Sequence, residues 1–253
     1  MEIFSQHQTT HYEQEGFVLA KRFLTNGLLD RVEKIVAKLT HSACKSIPRE
    51  HLFYEDRKVE NSLKQIQHLD QHSTDLSELF HHGIFKQAAE ELLQQPALGI
   101  NLQYFNKPPG SSRPTSPHQD GFYFKLSPPH ALTMWLALDS VDEGNGCVRY
   151  LPRSHREGLR QHMTTETLGF SQGIPNYPTA EERENEVAIS AEPGDLLIHH
   201  ALTVHRAETN RSGIKNRRAL GFIYYGVEAL IDEHAVTQYQ SELQARLHAE
   251  GRI

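Results

Sequence analysis

Apolar positions recur at helical spacing through the first hundred residues of the chain. One such run extends over residues 24–39, after the capping candidates Thr25 and Asn26. A second extends over residues 76–93 and ends before Pro96. Because apolar stripes are unstable when they face water, we expect these helices to pack on the outside of a sheet. A separate helical domain is the alternative, but no linker follows the second run.

From Ile100 onward the pattern changes to short apolar segments separated by proline, glycine, asparagine and aspartate. Strands are predicted at residues 102–105, 132–138, 147–151, 188–191, 196–204 and 219–226. Short strands at this spacing are typical of an antiparallel sandwich or barrel. Residues 162–186 are polar and contain glycine and proline, which predicts a long loop between two strands. Loops of that length often act as lids or binding loops, although a surface excursion without a role has the same pattern.

The composition limits the classes of function that fit the chain. With 253 residues and 38% hydrophobic content, the chain can bury one substantial core, and we expect one domain. A formal net charge of −6 and scattered basic residues argue against a nucleic-acid partner. The two cysteines, Cys44 and Cys147, fit a reducing compartment. Because there is no signal-like N-terminus and no apolar run of about 20 residues, we expect a cytoplasmic protein with no membrane partner.

The tripeptide His118-Gln119-Asp120 is the first candidate for chemistry. In an extended strand, residues two apart point to the same face, so His118 and Asp120 can offer a nitrogen and an oxygen to one metal ion while Gln119 faces away. His205, just beyond the apolar strand-like run 196–204, suits the third ligand. Two histidines and one carboxylate on one face of an octahedron is the arrangement of non-heme Fe(II) oxygenases, which leaves positions for O2 and a chelating cosubstrate. Because the chain has 17 histidines, His-x-Asp alone is a weak signal, and the surrounding residues decide the interpretation.

Further motifs accompany this candidate metal site. They are Asn106-Lys107-Pro108-Pro109-Gly110, Trp135-Leu136-Ala137-Leu138-Asp139, Asn145-Gly146-Cys147, Leu151-Pro152-Arg153-Ser154-His155 and, beyond His205, Asn210, Ser212 and Arg217-Arg218-Ala219. In order and spacing this set resembles the phytanoyl-CoA dioxygenase family of Fe(II)- and 2-oxoglutarate-dependent oxygenases. The resemblance runs from about Tyr12-Glu13-Gln14-Glu15-Gly16-Phe17, which is similar to the family's opening strand, to about Tyr225.

The resemblance implies a fold that is mainly β with flanking helices, a double-stranded β-helix or cupin-like jelly roll. Residues 1–253 would then form a single Fe(II)/2-oxoglutarate dioxygenase domain. Within it we expect residues 1–99 to be largely helical support, residues 100–227 the jelly-roll core and residues 228–253 a C-terminal helix.

The resemblance also implies an arginine that holds 2-oxoglutarate. Arg217 and Arg218 start a strand-like segment, and adjacent strand residues face opposite sides of a sheet, so only one guanidinium can point inward and clamp a carboxylate. The family places this arginine first in its run, which indicates Arg217. One extra residue after His205, relative to many family members, leaves Arg218 open.

Other cosubstrate residues follow from the same family register. Gln103 is expected to line the cosubstrate pocket, and Trp135 to pack an aromatic ring beside it, although an aromatic residue in an apolar strand is also typical of a core. Thr115, and Lys64 or Gln65, are further candidates. Where the family often has a serine two residues after the distal histidine, this chain has Ala207.

The implied activity is hydroxylation of a C–H bond, in which 2-oxoglutarate and O2 yield succinate and CO2. An intact Asp120 favours hydroxylation, since related halogenases replace this carboxylate with a small residue. A mixture of aromatic and cationic residues predicts a small, anionic metabolite as substrate, and the residues considered for it are Tyr104, Phe122, Tyr123, Phe124, Lys125, Arg149, Arg153, Phe170 and Gln172. Either His199 or His200 is expected to alternate toward the solvent or the second sheet, and neither is needed for a three-ligand site.

Two other classes of function remain open at this point. One is a non-catalytic, cupin-like protein that binds a metal or small molecule, and the other is a different jelly-roll metalloenzyme such as an isomerase, which would not need an arginine clamp. The chain is expected to be a monomer or a homodimer.

Overall fold

The computed structural model describes residues 2–41, 44–56, 58–59, 62–110, 112–165 and 172–249. The helices of these residues are α1 Gln6–Glu15, α2 Asn26–His41, α3 Thr74–His81, α4 Ile84–Leu93, α5 Gly121–Phe124, α6 Ala180–Asn185 and α7 Glu233–Ala249. The strands are β1 Phe17–Ala20, β2 Leu52–Tyr54, β3 Leu63–Ile66, β4 Ala97–Asn106, β5 Thr115–His118, β6 Leu126–Ser127, β7 Ala131–Ala137, β8 Val148–Tyr150, β9 Met163–Thr164, β10 Gln172–Gly173, β11 Val187–Ile189, β12 Leu196–His200, β13 His205–Ala207, β14 Arg218–Gly226 and β15 Leu230–Ile231. None of the described helices is long and apolar enough to cross a bilayer.

The strands form one large and one small antiparallel sheet. The large sheet has seven strands in the order β1-β12-β7-β14-β4-β3-β2, and the small sheet has four in the order β11-β8-β13-β5. Two short ribbons, β10-β9 and β15-β6, accompany them. The architecture is therefore mainly antiparallel β with flanking helices, as expected.

The large sheet packs one face against the helices and directs the other toward the small sheet. Phe222 and Tyr224 of β14 point to the helices, where the ring of Phe222 stacks on Phe85 with centroids 3.8 Å apart and the Tyr224 hydroxyl donates to the carbonyl of Phe80 over 2.8 Å. Because side chains alternate along a strand, Gly221 and Ile223, on either side of Phe222, face the interior of the molecule. A Cβ at position 221 would lie 2.6 Å from the Phe105 ring, so any larger residue would displace this ring.

In the first hundred residues, three local predictions differ from the structure. Residues 12–15 belong to α1 rather than to an opening strand, because a capping box between Ser5 and Gln8 starts this helix and Gly16, at φ 84°, ends it. The predicted helix 76–93 is two helices, since Gly83 approaches the preceding turn so closely that a Cβ would lie 2.5 Å from the carbonyl oxygen of Leu79. The first hundred residues also contribute β1, β2 and β3 to the large sheet.

The strand predicted for residues 196–204 is shorter in the structure. It ends at His200, and residues 201–204 form the connection to β13. The loop predicted for residues 162–186 contains β9, β10 and α6. Phe170 and the rest of residues 166–171 lie outside the described residues.

Candidate metal and cosubstrate site

The structure brings His118, Asp120 and His205 together between the two sheets. Their ligand atoms all lie within 4.8 Å of one another, and among the described residues no other group of three such side chains does so. His118 ends β5 and His205 begins β13, and the two residues are register partners on neighbouring strands. Asp120 has helical backbone angles, with φ −59° and ψ −32°. The prediction that His118 and Asp120 share a site is therefore met, but not through strand alternation. Asp120 lies in a turn after β5, and this turn brings its carboxylate beside His118.

Backbone carbonyls fix the orientation of both imidazole rings. Nδ1 of His118 donates to the carbonyl of Ser116 over 2.7 Å, and Nδ1 of His205 donates to the carbonyl of Thr203 over 3.0 Å. Because a carbonyl oxygen only accepts, the hydrogen of each neutral ring lies on Nδ1 and the lone pair lies on Nε2. These Nε2 atoms lie 3.4 Å and 3.8 Å from Oδ1 of Asp120. The donor atoms therefore fit one divalent metal ion.

The protonation states also suit a metal. Burial lowers the pKa of His205 well below its usual value, and His118 and His199 beside it act in the same direction, so the ring is neutral. Burial alone would raise the pKa of Asp120, but His205, His118 and His199 outweigh it and hold this pKa well below its usual range. A neutral imidazole and a carboxylate are the forms that ligate metals.

The second oxygen of Asp120 is held by residues that the sequence analysis did not assign. Oδ2 accepts hydrogen bonds from the Thr133 hydroxyl over 2.5 Å and from Nε2 of His199 over 3.1 Å, and the Tyr150 hydroxyl donates to Nδ1 of His199 over 3.0 Å. These contacts leave Oδ1 as the oxygen directed at the histidines. His199 is not one of the three ligands, as expected, but its ring is buried beside Asp120, a contact that was not predicted.

A signal for this contact exists in the sequence. Thr133 and His199 are polar positions inside two otherwise apolar strands, and they are register partners in the large sheet. Paired polar residues in buried strands indicate a shared polar partner, because a buried polar group without one is costly.

Replacing His199 with phenylalanine should weaken iron binding without removing a ligand. Loss of a hydrogen bond that orients a ligating carboxylate typically costs roughly 10- to 100-fold in metal affinity. We expect this loss in the dissociation constant for Fe(II), measured anaerobically by competition with a chromogenic chelator. The control is His200→Asn on the neighbouring residue, which should leave the constant unchanged. An unchanged constant for His199→Phe would show that Asp120 is oriented by other contacts.

His200 is half-buried next to His199 and uncharged. Its Nδ1 accepts a hydrogen bond from the backbone N–H of Leu202 over 3.0 Å, and burial, with His155, His130 and His199 nearby, lowers its pKa from 6.5 to about 4. Burial also lowers the pKa of His162 to about 4. Both rings therefore stay neutral near pH 7.

The protein should lose stability in weak acid because of His200. The unfolded chain takes up this proton near pH 6.5 and the folded chain only near pH 4, so the stabilisation is complete above pH 6.5 and is lost as the pH falls toward 4, by ~3 kcal/mol in the free energy of unfolding. In His200→Asn, whose side-chain oxygen can still accept from Leu202, this part of the pH dependence should disappear. Urea unfolding at several pH values measures the difference, and identical pH slopes for the two proteins would contradict the assignment.

Gln119 faces away from the metal site, as predicted, and connects loops behind it. Its Nε2 donates to the carbonyls of Leu202 and Gly158 over 2.7 and 2.9 Å, and its backbone N–H donates to Nε2 of His162 over 3.1 Å. The buried amide thus fixes the backbone between the two ligands of the motif.

The side chains predicted for the cosubstrate line the same cavity as the three ligands. This cavity has a volume of about 410 Å³, and Gln103, Thr115, Trp135 and Arg217 all border it. The guanidinium carbon of Arg217 lies 4.9 Å from the centroid of the Trp135 ring, and its Nε donates to the carbonyl of Gly146 over 2.9 Å. The two terminal amino groups of Arg217 are therefore the atoms that can hold a carboxylate.

Arg217 and Arg218 lie in different surroundings. Burial lowers the pKa of Arg217 to about 10, so the side chain remains charged at neutral pH. Arg218 forms an ion pair with Asp139, with N and O atoms 2.6 Å apart, and does not border the cavity. Of the two arginines, Arg217 is the one placed to meet a ligand of the cavity.

Other residues around Arg217 also match the candidate set. Lys64, Gln65 and Ala207 border the cavity. Nε2 of Gln65 donates to Oε1 of Gln103 over 2.7 Å, which fixes both amides. Burial, followed by the nearby charges of Arg217 and Lys64, lowers the pKa of Lys107 well below its usual value. A cluster of basic side chains therefore surrounds this end of the cavity.

The residues considered for an anionic substrate are scattered. Tyr123 and Phe124 border the cavity, whereas Tyr104 is buried in the core shared with the helices. Arg149 is paired with Glu143, and Arg153 with Glu15, and neither arginine borders the cavity. Neither arginine therefore supports the expectation of an anionic substrate.

Comparison with known proteins identifies relatives of this chain. The phytanoyl-CoA dioxygenase family model matches residues 12–219. The peroxisomal phytanoyl-CoA dioxygenase of Bos taurus is 26% identical over 227 residues, which cover 83% of this chain and 65% of the relative. The 1-deoxypentalenic acid 11-beta-hydroxylase of Streptomyces arenae is 30% identical over 144 residues, which cover 53% of this chain and 50% of the relative. The matched segment therefore spans one half to two thirds of these curated relatives.

Solved structures agree with the fold. The non-heme alpha-ketoglutarate-dependent carbocyclase SnoK from nogalamycin biosynthesis has a TM-score of 0.71 at 25% identity, with 90% of this chain and 86% of that chain covered. EctD from S. alaskensis, crystallised with 2-oxoglutarate and 5-hydroxyectoine, has a TM-score of 0.73 at 16% identity, with 89% and 77% covered, which supports the fold alone. The expected jelly roll is confirmed. Since the family model matches most of the chain, the chain belongs to the phytanoyl-CoA dioxygenase family of iron- and 2-oxoglutarate-dependent oxygenases.

Proposed function

We propose that this protein is an Fe(II)- and 2-oxoglutarate-dependent dioxygenase that hydroxylates a C–H bond of a small molecule. The observation that carries this proposal is the convergence of His118, Asp120 and His205 in a cavity that also contains the buried Arg217. When bound, iron and 2-oxoglutarate supply the oxidation, with O2 consumed and succinate and CO2 released. Two relatives support this class, one named a hydroxylase and one an alpha-ketoglutarate-dependent enzyme.

In this proposal the three ligands hold the metal from one side. The carbonyls of Ser116 and Thr203 keep the His118 and His205 rings in one tautomer. Thr133 and His199 keep Oδ2 of Asp120 occupied, so Oδ1 is the oxygen offered to the metal. Since the three ligands border the cavity, a cosubstrate bound in the cavity would reach the metal.

Arg217 would hold the distal carboxylate of 2-oxoglutarate. Its side chain is 5% exposed, so the ion pair forms away from water, where it is strong. The Trp135 ring packs against the guanidinium of Arg217. The hydrogen-bonded amides of Gln65 and Gln103, and Thr115, could form polar contacts with the rest of the cosubstrate. Ala207 offers no hydroxyl, so these contacts replace the one that the family's serine supplies.

A screen for substrate-stimulated succinate release tests the proposal. The protein, loaded with Fe(II) and 2-oxoglutarate, is exposed to air with each of a set of small carboxylates, amino acids, phosphonates and uncharged ring compounds. We expect at least one compound to raise succinate release, with one oxygen atom gained by that compound. Binding of iron and 2-oxoglutarate with no succinate release under any condition would identify a non-catalytic binding protein.

We also expect this reaction to take place in the cytoplasm, because both described cysteines are free thiols. Size-exclusion chromatography with light scattering decides between the expected monomer and homodimer.

A further inference from the structure

We propose that the substrate is an uncharged, ring-bearing molecule that lies between the metal site and the C-terminal helix α7. The proposal rests on the proposed function. It concerns the part of the cavity that would remain for a substrate once the metal and 2-oxoglutarate are bound. This part is called the outer end below, and it is bordered by Tyr123, Ile223, Tyr225, Val236, Tyr239 and Gln240.

The positions along β14 separate the outer end from the cosubstrate end. Arg217 comes just before β14, and Ile223 and Tyr225 follow Arg217 by six and eight residues. At ~3.4 Å per residue of strand, their backbones lie roughly 20 to 27 Å from that of Arg217. Ile223 is the register partner of Thr133, whose hydroxyl holds Asp120. The metal site therefore lies between the two ends.

Aromatic rings connect the metal ligands to α7. The ring of Tyr123 lies 6.1 Å from that of His118 and 6.0 Å from that of Tyr239, measured between centroids. The Tyr123 hydroxyl donates to the carbonyl of Gln172 over 3.0 Å, so its ring has a fixed position. A ring-bearing molecule placed against Tyr123 and Tyr239 would reach the metal site with a face or edge contact on both sides.

Two cations lie near the outer end, and both have partners within the protein: carboxylates for Arg206 and aromatic rings for Lys125. Arg206 borders the cavity, but Glu186 accepts two of its N–H groups over 2.6 Å and Glu208 accepts a third. The ammonium of Lys125 lies 3.7 Å from the centroid of the Phe122 ring and 5.9 Å from that of the Tyr239 ring. Lys125 lies behind these rings and does not itself border the cavity.

The imidazole of His68, also on the cavity wall, has a pKa lowered by burial and by His51. Among the residues that the structure describes, those at the outer end therefore provide apolar, aromatic and amide groups and no cation without a carboxylate partner. A carboxylate or phosphonate placed there would lose its hydration without gaining an ion pair, which is strongly unfavourable. An uncharged molecule has no such cost, and the side-chain amides of Asn101 and Gln240 can bind its hydroxyl or carbonyl groups.

The outer end also lies where the family match stops. The model of the family matches residues 12–219, and the three metal ligands, Trp135 and Arg217 fall inside this range. Ile223, Tyr225, Val236 and Tyr239 follow it. Part of the selectivity for the substrate would therefore be carried by residues of β14 and α7 that follow the matched range, with Tyr123 inside it.

Two probes of the same shape test the charge preference. The complete protein, loaded anaerobically with Fe(II) and saturating 2-oxoglutarate, is titrated in a calorimeter with 2-naphthol and with 2-naphthoate. Saturating 2-oxoglutarate keeps Arg217 occupied, so the carboxylate probe cannot bind there instead. We expect 2-naphthol to bind at least about tenfold more tightly than 2-naphthoate.

Variants of α7 test the location. Tyr239→Ala should weaken 2-naphthol binding about tenfold, whereas Gln244→Ala, at an exposed position of the same helix, should leave it unchanged. Tyr239→Lys should raise the affinity for 2-naphthoate, because it adds the missing cation. Equal or tighter binding of 2-naphthoate to the unaltered protein, no binding of either probe, or 2-naphthol binding that is insensitive to Tyr239 would overturn the proposal.

The visible absorption of the complex of iron and 2-oxoglutarate tests the proposed function separately from the substrate class. It is recorded in the same samples before either probe is added. If the chelate forms and the probes fail, the substrate class is wrong and the proposed function stands. If the chelate does not form, the proposed function fails independently of the probes.

Discussion

Arg217→Met is expected to raise the dissociation constant for 2-oxoglutarate by roughly 30- to 4,000-fold, since truncating one partner of a buried, hydrogen-bonded charge pair costs about 2–5 kcal/mol. Methionine is unbranched and of similar length, so it should still pack against Trp135 while removing the charge and the paired N–H donors. Arg217→Lys should recover only part of the affinity, because an ammonium group cannot bind a carboxylate through two parallel hydrogen bonds. Anaerobic titration of the iron-loaded protein with 2-oxoglutarate gives the constants.

Arg218→Met is the matched control for this prediction. The two arginines are adjacent, but Arg218 pairs with Asp139 at a partly exposed position. Its loss should leave the affinity for 2-oxoglutarate within about threefold and change the free energy of unfolding by less than about 1 kcal/mol. If Arg218→Met weakened 2-oxoglutarate binding as much as Arg217→Met, Arg217 would not be the clamp.

Asp120→Asn should remove most of the affinity for iron. The substitution keeps the size of the side chain but replaces the carboxylate with a neutral amide, leaving the metal charge without its anionic ligand in a buried site. Breaking a buried ion pair costs about 3–5 kcal/mol, which corresponds to a roughly 100- to 4,000-fold weaker Fe(II) complex and a similar loss of turnover at limiting iron.

Metal-dependent thermal stability measures this effect without turnover. Mn(II), a redox-stable substitute, should raise the Tm of the unaltered protein, because a ligand that binds only the folded state stabilises it. The rise should be absent in Asp120→Asn and present in Asp142→Asn, where the carboxylate is exposed and pairs with Lys215. A full rise in Asp120→Asn would mean that the metal binds elsewhere.

The sequence predicts the three ligands because their spacing is embedded in a longer set of motifs. His118, Asp120 and His205 lie among turn and strand signals whose order identifies the family, so their convergence can be expected without coordinates. The backbone conformation that places Asp120 beside His118 cannot be predicted from these motifs. Asp120 leaves the strand through a turn, and its backbone conformation depends on the packing of α5 against residues 201 and 202.

His199 shows why contacts in space are harder to predict than motifs. Strand alternation decides which face a residue occupies only when the strand boundaries and the neighbouring strands are known. The predicted strand covered residues 196–204, just before His205, whereas β12 ends at His200, so His199 and His205 belong to different strands. The pairing of His199 with Thr133 depends on the order of strands in the large sheet, which the periodicity of the sequence does not contain.

The wall formed by α7 illustrates a second limit. A C-terminal helix is expected for residues 228–253, and the structure has one at Glu233–Ala249. Its position across the cavity depends on a few contacts, such as those of Tyr239 with Phe122 and Tyr123. Contacts of this kind involve residues more than a hundred positions apart, and no local pattern specifies them.

Anaerobic titration of the unaltered protein with Fe(II) and 2-oxoglutarate tests the central claim most directly. The weak visible absorption of the iron chelate should appear only when both are present and should saturate at one equivalent of each per chain. It should be lost in Asp120→Asn and shifted to much higher 2-oxoglutarate concentrations in Arg217→Met. No absorption from the unaltered protein, or the same absorption from both variants, would contradict the assignment of this cavity as an iron and 2-oxoglutarate site.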